Sequence, residues 1–316
     1  MTQHASSVAS SGSNTLDVSI ILPVFNEVEH LRQEVDRVRA AMDASNYSYE
    51  IIIVDDGSSD GSGELALTIP DVQVIRFLQN RGSGSARKAG TSAARGRVTV
   101  WTDVDMSYPN DTIPQLVKEL EGYDQVVGAR TTEEGTMKSL RVPAKWFIRR
   151  LASFLTKTKI PDLNSGFRAF RTDVARQYLR HLPVGFSCVT TMTMTFLSGG
   201  YSVKYIPIEY KKRAGKSKFH PINDTRRYGV QVVRMVLSYN PLRLFLPTGF
   251  TLLAFGLGKL VYDLDKYDFR VTTNTLLILF AAFQVFAIGL LADLVVRVSR
   301  DRDEVPVATE TNTGRP

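Results

Sequence analysis

Short apolar runs alternate with segments of helical length along the first part of the chain. Five runs are rich in β-branched or aromatic residues, which fit the half-buried surface of a sheet, and we predict them to be strands. They cover 18–22, 51–54, 72–77, 98–101 and 125–127. The intervening segments predict three helices that end near residues 42, 94 and 120, with Asn26 as the N-cap of the first. Strands alternating with helices at this spacing predict right-handed βαβ units, a mostly parallel sheet and an α/β fold.

The second part of the chain carries two much longer apolar segments. Residues 244–262 and 271–292 are each long enough to cross a hydrocarbon core of about 30 Å. Basic residues flank the pair on both sides and the connecting loop is acidic, so the positive-inside rule predicts cytoplasmic flanks and a short external loop. Lys259, near the end of the first segment, is expected to extend outward to the interface. Two buried core helices are the alternative.

The polar segments around these patterns predict how the chain is divided. Apolar and basic residues mix over 220–241, which predicts an amphipathic helix at the membrane surface. The two ends are polar and lack an apolar core, so we expect both to be disordered. The predicted parts are a tail (1–16), the α/β domain (17–219), the amphipathic helix (220–241), a transmembrane hairpin (242–298) and a second tail (299–316).

Composition and charge narrow the functional classes. The hydrophobic content of 43% is ordinary for a globular protein, and the one cysteine, Cys188, excludes an internal disulfide and favours a reducing compartment. The four histidines have no ligand spacing, so a zinc site is not expected. Residues 204–243 hold ten basic and two acidic residues, within a chain of net charge +7. This run comes immediately before the apolar segments, which favours a membrane surface over nucleic acid.

Two carboxylates follow the fourth predicted strand. Asp103 and Asp105 are two positions apart, so in an extended chain they point the same way. They lie at the carboxyl end of a strand, where open α/β sheets bind their ligands. Carboxylates this close repel each other unless a cation or strong donors lie between them. A hard divalent ion that bridges to substrate phosphates meets that need, and a pair of solvated loop aspartates is the alternative.

A glycine-rich stretch follows the third predicted strand. Its Gly82-x-Gly84 pattern lacks the third glycine of a dinucleotide-binding fingerprint, because Arg87 stands at that position. The stretch also follows the third strand rather than the first. We therefore do not predict a dinucleotide site.

Five motifs together carry a resemblance to a known family. They are Pro23-Val24-Phe25-Asn26-Glu27, Asp55-Asp56-Gly57-Ser58-Ser59-Asp60, Asn80-Arg81-Gly82, Asp103-Val104-Asp105 and Asp162-Leu163-Asn164-Ser165-Gly166-Phe167-Arg168. Over about 18–218 the chain resembles family 2 glycosyltransferases, and among them the polyprenyl-phosphate branch of dolichyl-phosphate mannose synthases and bactoprenol glucosyl transferases. The resemblance implies a GT-A-type nucleotide-binding domain, followed here by the amphipathic helix and two transmembrane helices.

The resemblance implies a binding site for a nucleoside-diphosphate sugar. The residues that it assigns to the donor nucleotide are Pro23, Asn26, Glu27, Asp55, Asp56, Arg81, Gly82 and Asp103. For the two aspartates after the second strand, a turn-capping role is the alternative. Asp105, supported by Asp103, is expected to hold Mg²⁺ or Mn²⁺ on the diphosphate. Relatives commonly have Gln at the position of Ser107, which leaves the third protein contact to the metal open.

Further residues are assigned to the reacting centre and the acceptor. The resemblance puts Asp162 near the reacting centre, for orientation or proton handling, and an Asx-turn residue is the alternative. Arg130 and Lys145 are the first choice for binding an acceptor phosphate; Arg149 and Arg150, neighbours on a helix, cannot both face one site. The basic segment with Arg213, Lys216, Ser217 and Lys218 resembles a mobile loop over the diphosphate, and contact with anionic lipid is the alternative.

The implied activity is transfer of one sugar to a polyprenyl phosphate with inversion. We expect the enzyme in the cell membrane, with the catalytic domain and both termini in the cytoplasm. UDP is slightly favoured over GDP as the nucleotide, and tetramers are known among relatives with one helical pair. The alternatives are the same donor domain acting on another lipid or glycan, and a non-catalytic membrane scaffold that binds sugar nucleotides. Nucleic acid is not an expected partner.

Overall fold

A computed structural model describes residues 16–131, 150, 152–153, 158–185, 187–211, 237, 241–267 and 269–303. The chain forms two compact units, Met1–Tyr228 and Gly229–Pro316. The predicted amphipathic helix, except residues 237 and 241, lies outside the described residues, as do residues 1–15 and 304–316 of the two predicted tails. The prediction of disorder is wrong for residues 299–303, which continue the last helix of the chain. The five-part division of the chain therefore stays a prediction.

The first unit is built on a seven-stranded sheet. Its strands are β1 (Val18–Val24), β2 (Tyr49–Asp55), β3 (Gln73–Arg76), β4 (Val98–Trp101), β5 (Gln125–Arg130), β6 (Arg168–Arg171) and β7 (Val203–Ile208). The spatial order is β3-β2-β1-β4-β6-β5-β7. All neighbouring pairs are parallel except those of β6, which is antiparallel to β4 and β5. The predicted mostly parallel α/β fold is confirmed, and β6 and β7 are additions to it.

Helices cover both faces of the sheet. They are α1 (Val28–Asp43), α2 (Ser62–Leu67), α3 (Ser83–Ala93), α4 (Ile113–Lys118), α5 (Thr172–Tyr178) and α6 (Ser187–Ser198). Successive β1 residues point to opposite faces, so Ile20 joins a core with Leu31 of α1, while Ile21 joins another core with Ala86 of α3. Cys188 is fully buried in the second core. Burial of each such aliphatic side chain contributes about 1.5–3 kcal/mol.

The prediction that Asn26 is the N-cap of α1 is wrong. The helix begins at Val28 with Glu27 as the N-cap residue, and Asn26 lies before it with a φ of +54°. The backbone N–H of Val28 donates to Asp60 Oδ2 at 3.0 Å. The Asn26 carboxamide instead accepts from the backbone N–H of Ser59 at 2.8 Å. The loop after β2 therefore supplies the cap, and Asn26 fastens that loop to the end of β1.

The second unit is a helical hairpin. It consists of α7 (Leu242–Lys266) and α8 (Thr273–Asp303). By length and composition, the segments Leu242–Lys266 and Thr273–Val298 are long and apolar enough to cross a membrane. A Cβ atom at Gly249 would lie 2.6 Å from the Phe286 ring, so a glycine is needed for this close helix contact. Large apolar side chains such as Phe255 and Phe283 face outward, as a lipid environment requires.

A polar network closes the turn of the hairpin. Lys259, predicted to extend outward, instead lies 2.9 Å from Asp263 Oδ1. The other oxygen of Asp263 accepts from the hydroxyl groups of Thr272, at 2.6 Å, and Thr275. The carboxylate is fully buried among these partners. It therefore links the last turn of α7 to the first turn of α8.

Loss of this carboxylate is expected to loosen the hairpin. We expect Asp263→Asn to lower the thermal unfolding temperature of the full chain in detergent, because the new NH₂ group faces donors and Lys259 loses its counter-charge. Asp265→Asn, on an exposed side chain of the same helix, is the control and is expected to have little effect. Equal unfolding temperatures for the two variants would contradict the role of the network.

Candidate active site

A cavity of about 340 Å³ opens in the first unit beyond the carboxyl ends of β1, β2 and β4. Six of the residues predicted for donor or metal binding line it: Pro23, Glu27, Asp56, Gly82, Asp103 and Asp105. Arg87, Tyr108, Asn164 and Gly166 also contribute to its wall. The topology thus brings together motifs that are far apart in the sequence, at the edge where α/β sheets bind ligands.

The two carboxylates after β4 line the same cavity in different surroundings. Asp103 is partly exposed, with 31% of its side chain accessible, and its Oδ1 accepts from Arg87 Nη2. Asp105 is only 3% exposed, and its Oδ1 accepts from the backbone N–H and the hydroxyl of Ser107. The chain turns at Met106, between Asp105 and Ser107, where φ is +63°. Ser107 therefore orients Asp105.

Arg87 is a site residue that the sequence analysis did not select. It lies on α3 and is 4% exposed, and its guanidinium stands 5.8 Å from the centre of the Trp101 ring. Within the described part of the chain, its Nε has no hydrogen-bond partner. A buried guanidinium paired with a carboxylate in a cavity wall puts positive charge beside that carboxylate and fixes its direction. The sequence held one signal for it: Arg87 stands where a dinucleotide-binding fingerprint has its third glycine.

The motif around residue 166 completes this part of the wall. A Cβ atom at Gly166 would lie 3.1 Å from Asp103 Oδ2 and 3.2 Å from Arg87 Nη2, so any larger residue would crowd the ion pair. The backbone N–H of Gly166 donates to the Tyr108 hydroxyl at 2.8 Å. This turn therefore packs directly against the Arg87–Asp103 pair.

Arg168 fixes the turn from behind. Its buried guanidinium donates to the carbonyl oxygens of Ser165, at 3.1 Å, and Val189, at 2.9 Å, and to the Thr193 hydroxyl. Burial lowers the pKa of Arg168 to about 10. The residue connects the turn to α6.

Asp55 and Asp56 have separate positions. Asp56 lines the cavity, and its two oxygens accept the backbone N–H groups of Arg81, at 2.7 Å, and Gly82, at 2.9 Å. Burial raises the pKa of Asp56. Asp55 is buried and pairs with Arg76, Nε to Oδ2, at 3.3 Å. Both carboxylates cap turns of the backbone. Asp56 lines the cavity and Asp55 does not.

Arg81 and Asn26 do not line the cavity. The Arg81 guanidinium stands over the Phe77 ring, 5.1 Å from its centre. Asn26 is held by the loop after β2, to which its backbone N–H donates at Ser58 Oγ, at 3.0 Å. The donor-binding roles predicted for these two residues stay predictions.

Arg130 and Asp162, both predicted to be near the reacting centre, bind each other. Arg130 Nε lies 2.6 Å from Asp162 Oδ2 and Nη2 lies 3.0 Å from Oδ1, which makes the contact bidentate. Burial acts to raise the pKa of Asp162, but the hydrogen bonds and charge of Arg130 outweigh it and lower that pKa below its usual range. Asp162 is therefore ionised at neutral pH and is a poor proton acceptor. The Arg130 guanidinium also stands 5.2 Å from the centre of the Tyr210 ring.

The remaining predicted residues fall outside the described ranges. They are Lys145 and Arg149 for the acceptor phosphate, and Arg213, Lys216, Ser217 and Lys218 for the basic loop. Arg150 is described and is exposed.

The donor set at the cavity fits a divalent cation that is shared with a substrate. No group of three His, Cys, Asp or Glu side chains suited to a metal occurs among the residues whose placement is described. Asp103 and Asp105 supply two carboxylates on one wall. Mg²⁺ in nucleotide enzymes is commonly held by one or two carboxylates, with water and substrate phosphates completing its octahedron. Two carboxylates in one wall, one of them paired with Arg87, are consistent with that arrangement.

Comparison with known proteins identifies the family. The Glycosyl transferase family 2 model matches residues 19–179, and the GtrB C-terminal hairpin model matches residues 240–298. The chain is 30% identical over 307 residues to the undecaprenyl-phosphate 4-deoxy-4-formamido-L-arabinose transferase of Aeromonas hydrophila, covering 90% of each chain. It is 29% identical to the protein of the same name from Shewanella sediminis, covering 90% of this chain and 88% of the relative.

Solved structures agree with the fold. Glucosyl-3-phosphoglycerate synthase from Mycobacterium tuberculosis, in complex with Mn²⁺, UDP and phosphoglyceric acid, superposes with a TM-score of 0.54 at 21% identity. The match covers 71% of this chain and 78% of that one. The predicted GT-A-type fold and the predicted family are both confirmed. The chain belongs to glycosyltransferase family 2 and is a glycosyltransferase.

Proposed function

We propose that this protein transfers one sugar from a nucleoside-diphosphate sugar to a polyprenyl phosphate at a membrane. The observation that carries the proposal is the similarity over 90% of the chain to an undecaprenyl-phosphate sugar transferase. That similarity spans both the acid-lined cavity and the two membrane-length helices. The hairpin keeps the enzyme at the surface where a lipid phosphate is available. We place the catalytic domain and both termini in the cytoplasm, from the charges that flank the hairpin, and infer a tetramer from the resemblance.

The donor is expected to bind in the cavity with its diphosphate at the Asp103–Asp105 wall. A volume of about 340 Å³ is in the range of small-molecule sites. Asp56 and Glu27, on the loops after β2 and β1, line the cavity and would accept hydrogen bonds from the nucleoside. Arg87, paired with Asp103 in the cavity wall, would bring a positive charge close to the diphosphate. We favour UDP over GDP, as the resemblance implies.

Asp105 and Asp103 would hold Mg²⁺ or Mn²⁺. Such an ion neutralises charge on a diphosphate and so makes it a better leaving group. Ser107, in place of the Gln of relatives, keeps Asp105 oriented. A water molecule can supply the metal ligand that Ser107 does not provide.

In the proposed reaction, a phosphate oxygen of the polyprenyl phosphate attacks the anomeric carbon from the face opposite the leaving group. The bond between that carbon and the diphosphate breaks, the nucleoside diphosphate leaves with the electron pair, and the configuration inverts. A phosphate monoester has a second pKa of about 6 and is anionic at neutral pH, so no general base is required. This agrees with the ionised, Arg-paired state of Asp162. Arg130, Lys145 and Arg149 are the proposed partners of the acceptor phosphate, and Arg213, Lys216, Ser217 and Lys218 of the donor diphosphate.

A reconstituted assay tests the proposal. The full chain in detergent is incubated with labelled UDP- or GDP-sugars, Mn²⁺ or Mg²⁺, and undecaprenyl phosphate, and the lipid product is identified by mass. Undecaprenol without phosphate is the control and is expected to remain unmodified. If sugar is transferred to a different lipid or to a glycan, and none to undecaprenyl phosphate, the proposed acceptor is wrong. If no product forms with any of the donors, the proposal is contradicted.

Arg87 is expected to matter for turnover. A hydrogen bond to a charged group contributes about 1.5–3 kcal/mol, so Arg87→Met should lower the transfer rate about 10- to 100-fold. The control is Arg97→Met, which removes an exposed Arg from its 2.6 Å pair with Asp17. Asp17 and Arg97 come just before β1 and β4, so the pair lies at the amino ends of these strands, opposite the cavity. The rates of sugar transfer are compared at saturating acceptor, and equal rates for the two variants would rule out the role of Arg87.

A further inference from the structure

A buried polar network connects α1 to the loop that carries the two cavity carboxylates. Glu34 of α1 is fully buried on the face of the helix that meets this loop. Its Oε2 accepts from the side-chain NH₂ of Asn110, and its Oε1 lies 3.3 Å from Arg37 Nη1. A charge in the core is costly unless it is paired, and an apolar side chain of similar volume would often be at least as stable. The position of Glu34 therefore calls for a reason other than core packing.

Asn110 is the centre of the network. It is fully buried, and both polar atoms of its side chain form hydrogen bonds with the loop or α1. Its NH₂ group donates to Glu34 and, at 3.1 Å, to the backbone carbonyl of Asp103. Its carbonyl oxygen accepts from the hydroxyl of Thr102, the residue that follows β4. Asn110 thus fixes the backbone on which the first carboxylate stands.

Arg37 fixes the other end of the same loop. Its Nη1 donates to the backbone carbonyl of Tyr108 at 3.2 Å, and its Nη2 pairs with Asp111. Glu34 and Arg37 are neighbours on one face of α1, one turn apart. The helix therefore holds the loop before Asp105, through Asn110, and after it, through Arg37.

The loop needs such support. Met106 has a φ of +63°, a conformation that non-glycine residues adopt only when their surroundings impose it. Asp105 is held directly by Ser107, which lies in the same loop. A loop that relaxed at either end would move both carboxylates relative to Arg87.

We propose that Glu34 and Asn110 are positioning residues that set the geometry of Asp103 and Asp105 for a divalent cation. Neither residue lines the cavity. The inference rests on the proposed function, because it takes the cation and the nucleotide as ligands of that site. Partners one shell behind a metal site commonly change its affinity 10- to 100-fold when they are replaced.

The test uses two variants and a matched control. Glu34→Gln keeps the size of the side chain and removes its charge, and Asn110→Ala removes the centre of the network. Glu50→Gln is the control, because Glu50 is also buried and accepts from Ser19 Oγ at 2.6 Å and Arg95 Nε at 2.9 Å. Glu50 lies near the amino end of β2, whereas the cavity lies beyond the carboxyl ends of the strands. All three variants are expected to lower the unfolding temperature, so stability alone does not separate them.

The measured quantity is the affinity for Mn²⁺ in the presence of saturating UDP or GDP. Free Mn²⁺ is followed by its electron paramagnetic resonance signal, with the full chain in detergent well below its unfolding temperature. We expect about 10-fold weaker Mn²⁺ binding for Glu34→Gln and a larger loss for Asn110→Ala. Glu50→Gln should bind Mn²⁺ as the unaltered chain does, and nucleotide binding without metal should be unchanged in all three.

The outcomes separate this inference from the proposed function. If the unaltered chain does not bind Mn²⁺ with either nucleotide, the metal site itself is wrong and the inference is lost with it. If the unaltered chain binds Mn²⁺ and Glu34→Gln binds it within twofold, the metal site stands and the inference is overturned. An equal loss for Glu50→Gln also overturns it, because the effect would then follow general destabilisation. Should Asn110→Ala fail to fold, Glu34→Gln decides the matter.

Discussion

Asp105→Asn is expected to lower sugar transfer about 10²- to 10³-fold. The carboxylate lies in the wall of the cavity and is oriented by Ser107. Neutralisation of charge on a leaving diphosphate by a bound cation contributes several kcal/mol, and each 1.36 kcal/mol is a factor of ten in rate. Asn has the same shape and still accepts from the Ser107 N–H, so the loop is expected to keep its conformation. The loss would therefore be one of charge rather than of fold.

The measurement is the transfer rate as a function of Mn²⁺ concentration. Removal of divalent ions with a chelator should abolish the activity of the unaltered enzyme, and added Mn²⁺ or Mg²⁺ should restore it. The variant is expected to need much more Mn²⁺ and to reach a lower maximum. Asp36→Asn, on an exposed carboxylate of α1 with 56% of its side chain accessible, is the control and should behave as the unaltered enzyme does. Full turnover of Asp105→Asn at ordinary Mn²⁺ would contradict the proposed metal site.

Ser107→Ala separates orientation from charge at the same position. It leaves the carboxylate of Asp105 but removes the hydroxyl that donates to it. A smaller fall in rate than for Asp105→Asn is expected, with a shift in the Mn²⁺ requirement in the same direction.

The sequence predicted the fold well where strands are continuous and apolar. Four of the first five strands, β1, β2, β4 and β5, follow runs of buried apolar side chains, such as Ile20 in β1 and Ile53 in β2, whereas β3 is only partly buried. β6 was not predicted, because it spans four residues and begins and ends with Arg. β7 contains Lys204 and Pro207 and lies at the edge of the sheet, so its pattern resembles a loop.

The sequence predicted where the site lies better than it predicted the contacts between its side chains. Motifs at the carboxyl ends of parallel strands must meet at one edge, which is why Asp56, Gly82 and Asp103 could be grouped from the sequence. Side-chain direction beyond the end of a strand depends on partners from other elements. The pairing of Arg87 with Asp103, and of Arg130 with Asp162, joins residues that no local period relates. Hence both arginines needed the structure before their partners were known.

Asp162→Asn is expected to destabilise the first unit by about 3–5 kcal/mol. Arg130 and Asp162 keep only 15% and 10% of their side chains accessible, and the variant leaves a buried guanidinium without its counter-charge. Thermal unfolding of the full chain in detergent measures the effect. Asp173→Asn removes one partner of an exposed pair with Arg171 and should change the unfolding temperature very little. Equal shifts for the two variants would contradict a strong Arg130–Asp162 pair.

The pH dependence of this destabilisation has a definite sign. The folded pKa of Asp162 lies below the value of about 3.9 expected in the unfolded chain, so the ionised carboxylate stabilises the fold above that pH. As the pH falls below about 4 toward the folded pKa, this contribution is lost. The difference in unfolding temperature between the unaltered chain and Asp162→Asn should therefore shrink in acid and be largest near neutral pH. A difference that grew on acidification would contradict an ionised Asp162.

The double variant Arg130→Met/Asp162→Leu separates stability from catalysis. Replacement of a buried ion pair by apolar side chains of similar volume is often neutral for stability, so the double variant should recover most of what Asp162→Asn loses. If Arg130 also binds the acceptor phosphate, the recovered fold should still transfer sugar poorly, with a raised KM for undecaprenyl phosphate and an unchanged affinity for the donor nucleotide. A stable double variant with normal transfer would show that the pair serves the fold alone, and the acceptor phosphate would then have to be bound by other basic residues.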